Sequence, residues 1–366
     1  DRRAPAARPP RIRWIDSRAR STPSVDTERV TATAAGFLVA AAVFAVMFYV
    51  VDARQVLAEA RSADLALLAV VAALILAWNV AWGVELWTVL ESLGVDAPVT
   101  TALLVNAAGA FANHVTPFGQ AGGEPVTAWL LSQSMDTDYE VSLASIASLD
   151  AINVVPSTTF ALVGAGYYVA TVPRLPAELR GLPTAIAGGV AVVAAVGAVL
   201  YVFRDGVGRV VADAVYRVVH AVTDRLPRLT PPSREAVMAR IRTFVAAIGR
   251  VAGDRRRLAG AIALSALGWG FQALGLWVTF LALDATIPFY VPFFVLPLGT
   301  MGSVLPTPGA LGGTEAINVT ALTVVTSAAA PTVAAAVTIH SVGGYVLTTS
   351  VGAAAASVLG VQGRGE

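Results

Sequence analysis

Two stretches of this chain interrupt apolar sequence in the same way. Residues Asn113 to Glu124 read Asn-His-Val-Thr-Pro-Phe-Gly-Gln-Ala-Gly-Gly-Glu, between two apolar runs that are each short for a membrane span. Residues Thr307 to Glu315 read Thr-Pro-Gly-Ala-Leu-Gly-Gly-Thr-Glu. At an offset of 191 residues, Thr116 falls on Thr307, Pro117 on Pro308, Gly122 on Gly313 and Glu124 on Glu315. The second glycine of each pair is displaced by one place. Proline and glycine end a helix and leave backbone groups without partners, and hydrocarbon supplies none. Such a break persists only where protein buries it or where it lines a wet cavity. The repeated break therefore predicts the site.

Composition sets the surroundings of that break. Of 366 residues, 56% are hydrophobic and 13% charged, and the mean hydropathy is +0.69. A soluble domain carries about 25% charged residues. Apolar runs of about 20 residues, the length that crosses a bilayer core, recur along the chain. This is the pattern of a multi-pass membrane protein. The absence of cysteine excludes disulfides, thiolate metal sites and a cysteine nucleophile. All 25 basic residues are Arg, yet the net charge is only +1, so no nucleic-acid partner is expected.

In order, residues 1–29 form a basic tail, and spans are expected at Val30–Val51 and Leu65–Leu90. The half-length arms Ala97–Val115 and Phe118–Leu131 flank the first break. Further spans are expected at Val141–Ala170 and Pro183–Phe203, and a polar insertion at Arg204–Arg257 holds twelve Arg against five acids. Its spacing predicts amphipathic helices at the membrane surface. Leu258–Leu283 spans again, Pro288–Leu305 and Gly309–Val325 flank the second break, and Pro331–Leu359 is the last span. Tail and insertion together hold 20 of the 25 Arg, which places both termini in the cytoplasm of a cell in whose plasma membrane the chain sits. Span, broken pair and span thus occur twice, at about residues 65–170 and 258–359, within one transmembrane domain covering 30–366. The expected fold is an all-α integral membrane protein: about six spanning helices plus two re-entrant broken-helix hairpins in an inverted-topology repeat, as in secondary transporters.

At these residues the chain resembles a known family, the flippase-like transmembrane region of lysylphosphatidylglycerol synthases. Stand-alone membrane proteins and the membrane half of some archaeal dolichol-phosphate glycosyltransferases share that region. The resemblance rests on Asn113, Thr116, Pro117, Gly122, Gly123 and Glu124, then on Pro306, Thr307, Pro308, Gly309, Gly312, Gly313 and Glu315, with Leu149-Asp150 a weaker match. It implies two re-entrant hairpins and movement of a lipid or lipid-linked headgroup between leaflets. The chain departs from the family pattern at Thr127, where an Arg is common, and at Ile146-Ala147, where Glu-Arg is common. It also lacks an Arg in the last span near His340.

Several residue types carry chemistry here. Glu124 and Glu315 are expected in the first turn of a half-helix, either as caps of free N–H groups or as a headgroup or proton site. The Gly122-Gly123 and Gly312-Gly313 pairs serve either close packing or phosphate binding through bare N–H groups. Asp150 and Asn153 lie one helical turn apart. His114 and His340 read either as a proton relay or as satisfied structural donors. With Asn113, Thr116, Pro117, Thr307, Pro308 and Gly309, these residues form the candidate substrate-binding set. No metal and no cofactor is expected. The leading reading is a lipid translocase rather than an enzyme. A membrane-embedded lipid-modifying transferase, or the membrane partner of one, and a transporter of a small solute are the alternatives. The expected partners are a membrane lipid or lipid-linked substrate, with a separate lipid-modifying enzyme and a second copy of the chain left open.

Overall fold

The structure, a computed structural model, describes residues 38–47, 49, 53–116, 120–173, 180–202, 234–304 and 307–362. The expected tail at 1–29, the first part of the Arg-rich insertion at 204–233, and Pro117 lie outside them. Every regular element among the described residues is helical. They are α1 (Leu38–Met47), α2 (Ala53–Ser62), α3 (Leu65–Ser92), α4 (Val99–Val115), α5 (Gln120–Ser134), α6 (Tyr139–Thr171), α7 (Leu182–Val202) and α8 (Arg234–Gly253). These are followed by α9 (Arg255–Ala282), α10 (Val291–Gly299), 3-10 turns at Thr300–Val304 and Pro308–Ala310, α11 (Gly313–Val325) and α12 (Ala330–Gln362).

Four of these helices, Leu65–Ser92, Tyr139–Thr171, Arg255–Ala282 and Ala330–Gly360, are long and apolar enough to cross a membrane. Their outward faces carry Val70, Leu76, Val154, Val163, Leu267, Val346 and Val351 in exposed positions. Apolar residues on the outside as well as the inside identify helices solvated by lipid. The chain is an all-α, multi-pass membrane protein. At the expected span Pro183–Phe203 helix α7 covers Leu182–Val202, and within the expected span Val30–Val51 the described helix is Leu38–Met47. Helix α8, in the insertion, turns Ala247 and Val251 into a core shared with Val89, Val141 and Ala144, and its Arg240 pairs with Glu140 of α6 at 2.9 Å.

The centre of the molecule is the pairing of α3 with α9. The Asp64 N–H at the start of α3 donates to the Ala282 carbonyl at the end of α9, 2.8 Å away. At the opposite ends Arg257 meets Glu91 at 3.4 Å. The two helices therefore run antiparallel. Each has 28 residues and begins at an aspartate whose carboxylate accepts from backbone N–H groups of the first turn. Each ends in a turn with a left-handed residue, Gly94 (φ 74°) and Asp284 (φ 53°). After those turns Val95 N–H returns to Leu90 and Ala285 N–H to Phe280, the Schellman closure of a helix end. Trp87 Nε1 donates to the Ala97 carbonyl and Trp277 Nε1 to the Ile287 carbonyl, both at 3.1 Å. Every one of these pairs lies at an offset of 190. Helices α6 and α12, each of 33 residues, are offset by 191.

The outer contacts match as well: α4 packs along α12, and α10 along α6. The α4–α12 contact is close because Gly352 lets α12 approach the α4 backbone. A Cβ at 352 would collide with the Ala107 carbonyl oxygen and with Phe111. Small residues permit such approach between helices in lipid. Gly352→Ala is expected to destabilise the protein by about 1–3 kcal/mol, read as a lower unfolding temperature in detergent. Gly343 on the same helix faces open space, so Gly343→Ala should be neutral or stabilising by up to about 1 kcal/mol. Equal effects of the two changes would refute the close contact.

Candidate functional site

Neither interrupted segment is a continuous helix. Helix α4 ends at Thr116, which is extended (φ −91°, ψ 142°), and α5 begins at Gln120. In the second half, α10 passes into the 3-10 turn Thr300–Val304, and the turn Pro308–Ala310 precedes α11. Gly309 and Ala310 both have left-handed backbones (φ 60° and 59°). For alanine this is a costly conformation, held only where the surroundings over-determine it.

The two breaks meet. Gly309 sits against the stacked rings of His114 and Tyr345, and a Cβ there would strike both. Those rings are 4.1 Å apart at 22°, and the Tyr345 hydroxyl donates to the His114 carbonyl at 2.9 Å. His114 Nδ1 lies 2.7 Å from the Thr349 hydroxyl. The end of α4, the turn at Pro308 and helix α12 are thus locked at one point. Motifs 191 residues apart in sequence share one wall.

That wall bounds a cavity of about 770 Å³. Asn113, His114 and Glu124 line it from the first motif, Thr307 and Gly309 from the second, and Asp150 and Asn153 from α6. The carboxyl groups of Glu124 and Asp150 are neighbours on this lining, close enough to interact. Asn153 is tied to α9, its Oδ1 accepting from Ser265 Oγ (2.9 Å) and Trp269 Nε1 (3.1 Å). A smaller cavity of about 180 Å³ is lined by His114, Gly309, Glu315 and His340. His340 is buried, with no hydrogen-bond partner at Nδ1.

At the remaining motif residues backbones approach closely. Cβ atoms at Gly122 and Gly123 would run into Thr116 and into the Asn113 backbone, so this pair lets α5 cross closely behind the end of α4. Pro308 is buried. Gly312 (φ 89°) precedes α11, where a Cβ would crowd Val43, and Gly313 is buried with its backbone against Gly302.

The two glutamates differ, against the expectation of equivalent places. Glu315 lies in the first turn of α11 and accepts from the Gly312 N–H and the Ser341 hydroxyl. Glu124 lies four residues after the start of α5, beyond its first turn, and reaches across to Asp150. The physical reason is where each helix begins: α11 starts at its glycine pair, whereas α5 already includes Gln120 and Ala121.

Sequence reasoning missed Glu85 of α3. It is fully buried, lines the larger cavity, and neither carboxyl oxygen has a hydrogen-bond partner. The signal was present, since a carboxylate amid apolar residues at membrane depth is costly and marks function by default. Asn79 and Asn106 were missed too; Asn106 Nδ2 donates to the Asn79 carbonyl at 3.1 Å, bridging α3 and α4 at the cavity wall. Trp78, Trp82 and Trp269 form an edge-to-face cluster lining the cavity. Thr127, where the family pattern often has Arg, is a buried residue whose hydroxyl donates to the Gly123 carbonyl at 2.9 Å. No Arg lines either cavity among the described residues.

Fold and cavity together define a multi-pass helical membrane protein with a polar chamber lined by residues of both broken segments and of α3, α6 and α9. The chain belongs to the family described as the lysylphosphatidylglycerol synthase transmembrane region, whose sequence model matches residues 33–350. It is 27% identical over 288 residues to a UPF0104 membrane protein of Methanothermobacter thermautotrophicus, covering 75% of this chain and 79% of that one. No solved structure matches it.

The role of Glu315 is open to measurement. Glu315→Ala strands a buried N–H and the Ser341 hydroxyl, and is expected to cost about 1–3 kcal/mol. Glu315→Gln retains an acceptor for the N–H and should recover most of that loss in thermal unfolding. Equal losses in both variants would contradict the capping role.

Proposed function

We propose that this protein is a translocase that moves a lipid or lipid-linked headgroup between leaflets, holding the headgroup in the chamber where the two broken segments meet. The observation that carries the reading is that meeting itself. Asn113, His114 and Glu124 of the first motif and Thr307 and Gly309 of the second line one polar chamber of about 770 Å³ inside a lipid-solvated bundle. A headgroup in transit needs polar partners at membrane depth while its tails remain in lipid. Asn113, His114, Glu124, Asp150 and Thr307 offer donors and acceptors there.

The two halves are read as an inverted-topology repeat. Support comes from the antiparallel α3 and α9 with equal lengths and matching caps, and from the reciprocal α4–α12 and α6–α10 contacts. On this reading α4–α5 and α10–α11 are hairpins that enter from opposite faces and return. Motion of one half against the other then opens the chamber to each leaflet in turn. Both termini lie in the cytoplasm and the membrane is the plasma membrane. Substrate is a lipid or lipid-linked molecule, and a separate lipid-modifying enzyme is a natural supplier of it.

Vesicles of phosphatidylethanolamine and phosphatidylglycerol, with a trace of acyl-labelled fluorescent phosphatidylglycerol, test the activity by bleaching of the outer leaflet. The purified protein is expected to bring inner-leaflet label out faster than protein-free vesicles do. Glu124→Gln and Asp150→Asn should slow it by about tenfold or more, while the unfolding temperature stays close to that of the starting chain. Uptake of a soluble solute without label movement would replace the translocase reading with the solute transporter.

Orientation is tested separately. The chain has no cysteine, so single cysteines report cleanly. One placed in Asp52–Asp64 is expected to react with an impermeant thiol reagent added outside cells, and one in Arg204–Arg257 to react only after lysis. The reverse pattern would invert the topology and exchange the sides from which the two hairpins enter.

A further inference from the structure

The chamber contains an acidic group for which the motif symmetry gives no reason. Glu85, Glu124 and Asp150 line one chamber, and the Glu124 and Asp150 carboxyl groups are close enough to interact. Carboxyl groups crowded into one poorly solvated cavity are relieved by holding a proton among them. Glu85 is 0% exposed and both its oxygens lack a partner. An uncompensated charge in that position, away from water, is the costliest arrangement a buried carboxyl can adopt.

Among the described residues, no cation lines the chamber with the three. Helices α3, α9 and α12 and the 3-10 turns contribute only Trp, Asn, Gln, Ser, Thr and small or apolar groups to the chamber besides Glu85. His114 of α4 is the other titratable group on its wall, and its Nδ1 already meets Thr349. The acids Glu91 and Glu140, on α3 and α6, are paired with Arg257 and Arg240 near helix ends. A metal does not answer the charge either, because no three His, Asp or Glu side chains among the described residues converge tightly enough to hold one. A second unpartnered group lines the same chamber. Thr307, 1% exposed, lines it with an Oγ1 that has no partner.

We propose that Glu85, Glu124 and Asp150 form a proton-binding site within the chamber, and that headgroup movement is linked to proton movement through it. The site is loaded when the chamber is empty of compensating charge. It releases a proton when a polar headgroup with its water enters and solvates the carboxylates. The Thr307 hydroxyl, on the second motif, lines the same chamber and is available to share that water. The linkage half of the proposal rests on the translocase reading; the proton site does not.

Dicyclohexylcarbodiimide, which modifies protonated carboxyl groups in apolar surroundings, tests the site without any substrate. Purified full-length protein in detergent is treated across a pH series and its peptides are mapped by mass spectrometry. Adducts are expected on Glu85 and on Glu124 or Asp150 at neutral pH, falling by up to about tenfold per pH unit once the proton leaves. Glu91 and Glu140 serve as internal controls and should stay unmodified. Labelling of the chamber acids no greater than of those controls would overturn the site. No variant has to fold for this result to be read.

The linkage is tested in the phosphatidylethanolamine and phosphatidylglycerol vesicles with an imposed pH gradient. The gradient is expected to change label movement several-fold, an uncoupler to abolish the change, and Glu85→Gln to make movement insensitive to it. Movement that ignores the gradient in the unaltered protein would overturn the linkage while leaving translocation standing. Absence of movement under every condition would overturn translocation and linkage together, and the carbodiimide pattern would still decide the proton site.

Discussion

Hydrocarbon offers no partner to a free N–H or carbonyl, and this constraint governs each place where the chain stops being helix. The turn at Pro308 to Ala310 is tolerable because protein encloses it. The His114–Tyr345 stack covers Gly309, and the Glu315 carboxylate takes the Gly312 N–H. The end of α4 is held from outside its own segment, by the Tyr345 hydroxyl on the His114 carbonyl. Both closures depend on α12, so the last helix of the chain secures both interruptions. Helix α3 gives the frame on which this occurs, bonded to α9 at Asp64–Ala282 and at Glu91–Arg257.

Near-symmetry of the scaffold makes the asymmetry of the chamber informative. Helices α3 and α9 agree residue by residue in length, N-cap aspartate and left-handed C-terminal turn. The chemistry does not follow. Glu85 at the α3 position corresponds, 190 residues on, to Gly275, against which the His340 ring packs. Glu124 lies beside a second acid, Asp150, while Glu315 satisfies a helix start. A fold of this kind needs its two halves alike for packing. It needs them unlike to hold a polar group on one side of a cavity.

The missing cations point the same way. Where the family pattern often has Arg, Thr127 spends its hydroxyl on the Gly123 carbonyl beside Gly109. An Arg there would fill the gap between α4 and α5 that the small residues close. The chamber that results is acidic and amide-rich. A headgroup recognised mainly through its phosphate would find His114 and amide donors but no guanidinium among the described residues.

The sequence by itself determined the membrane setting, the all-helical class, the places where helices break and the offset that relates the halves. These follow from local causes: apolar runs long enough to cross lipid, proline and glycine that cannot continue a helix, and a repeated motif. Asp150 was legible as an acid within an apolar run, and so was Glu85, which sits in a run that also carries Trp78, Trp82 and Trp87. What only the tertiary structure decided is which polar groups meet. That Glu124 faces Asp150 while Glu315 faces Ser341 depends on the rotation of α5 and α11 about their axes, which is set by where each helix starts and by what Gly123 and Gly302 allow to come close. Contacts between residues far apart in sequence, such as Asn153 with Trp269 or Gly309 with His114, leave no local pattern to read. They arise from packing, and packing is a property of the assembled helices.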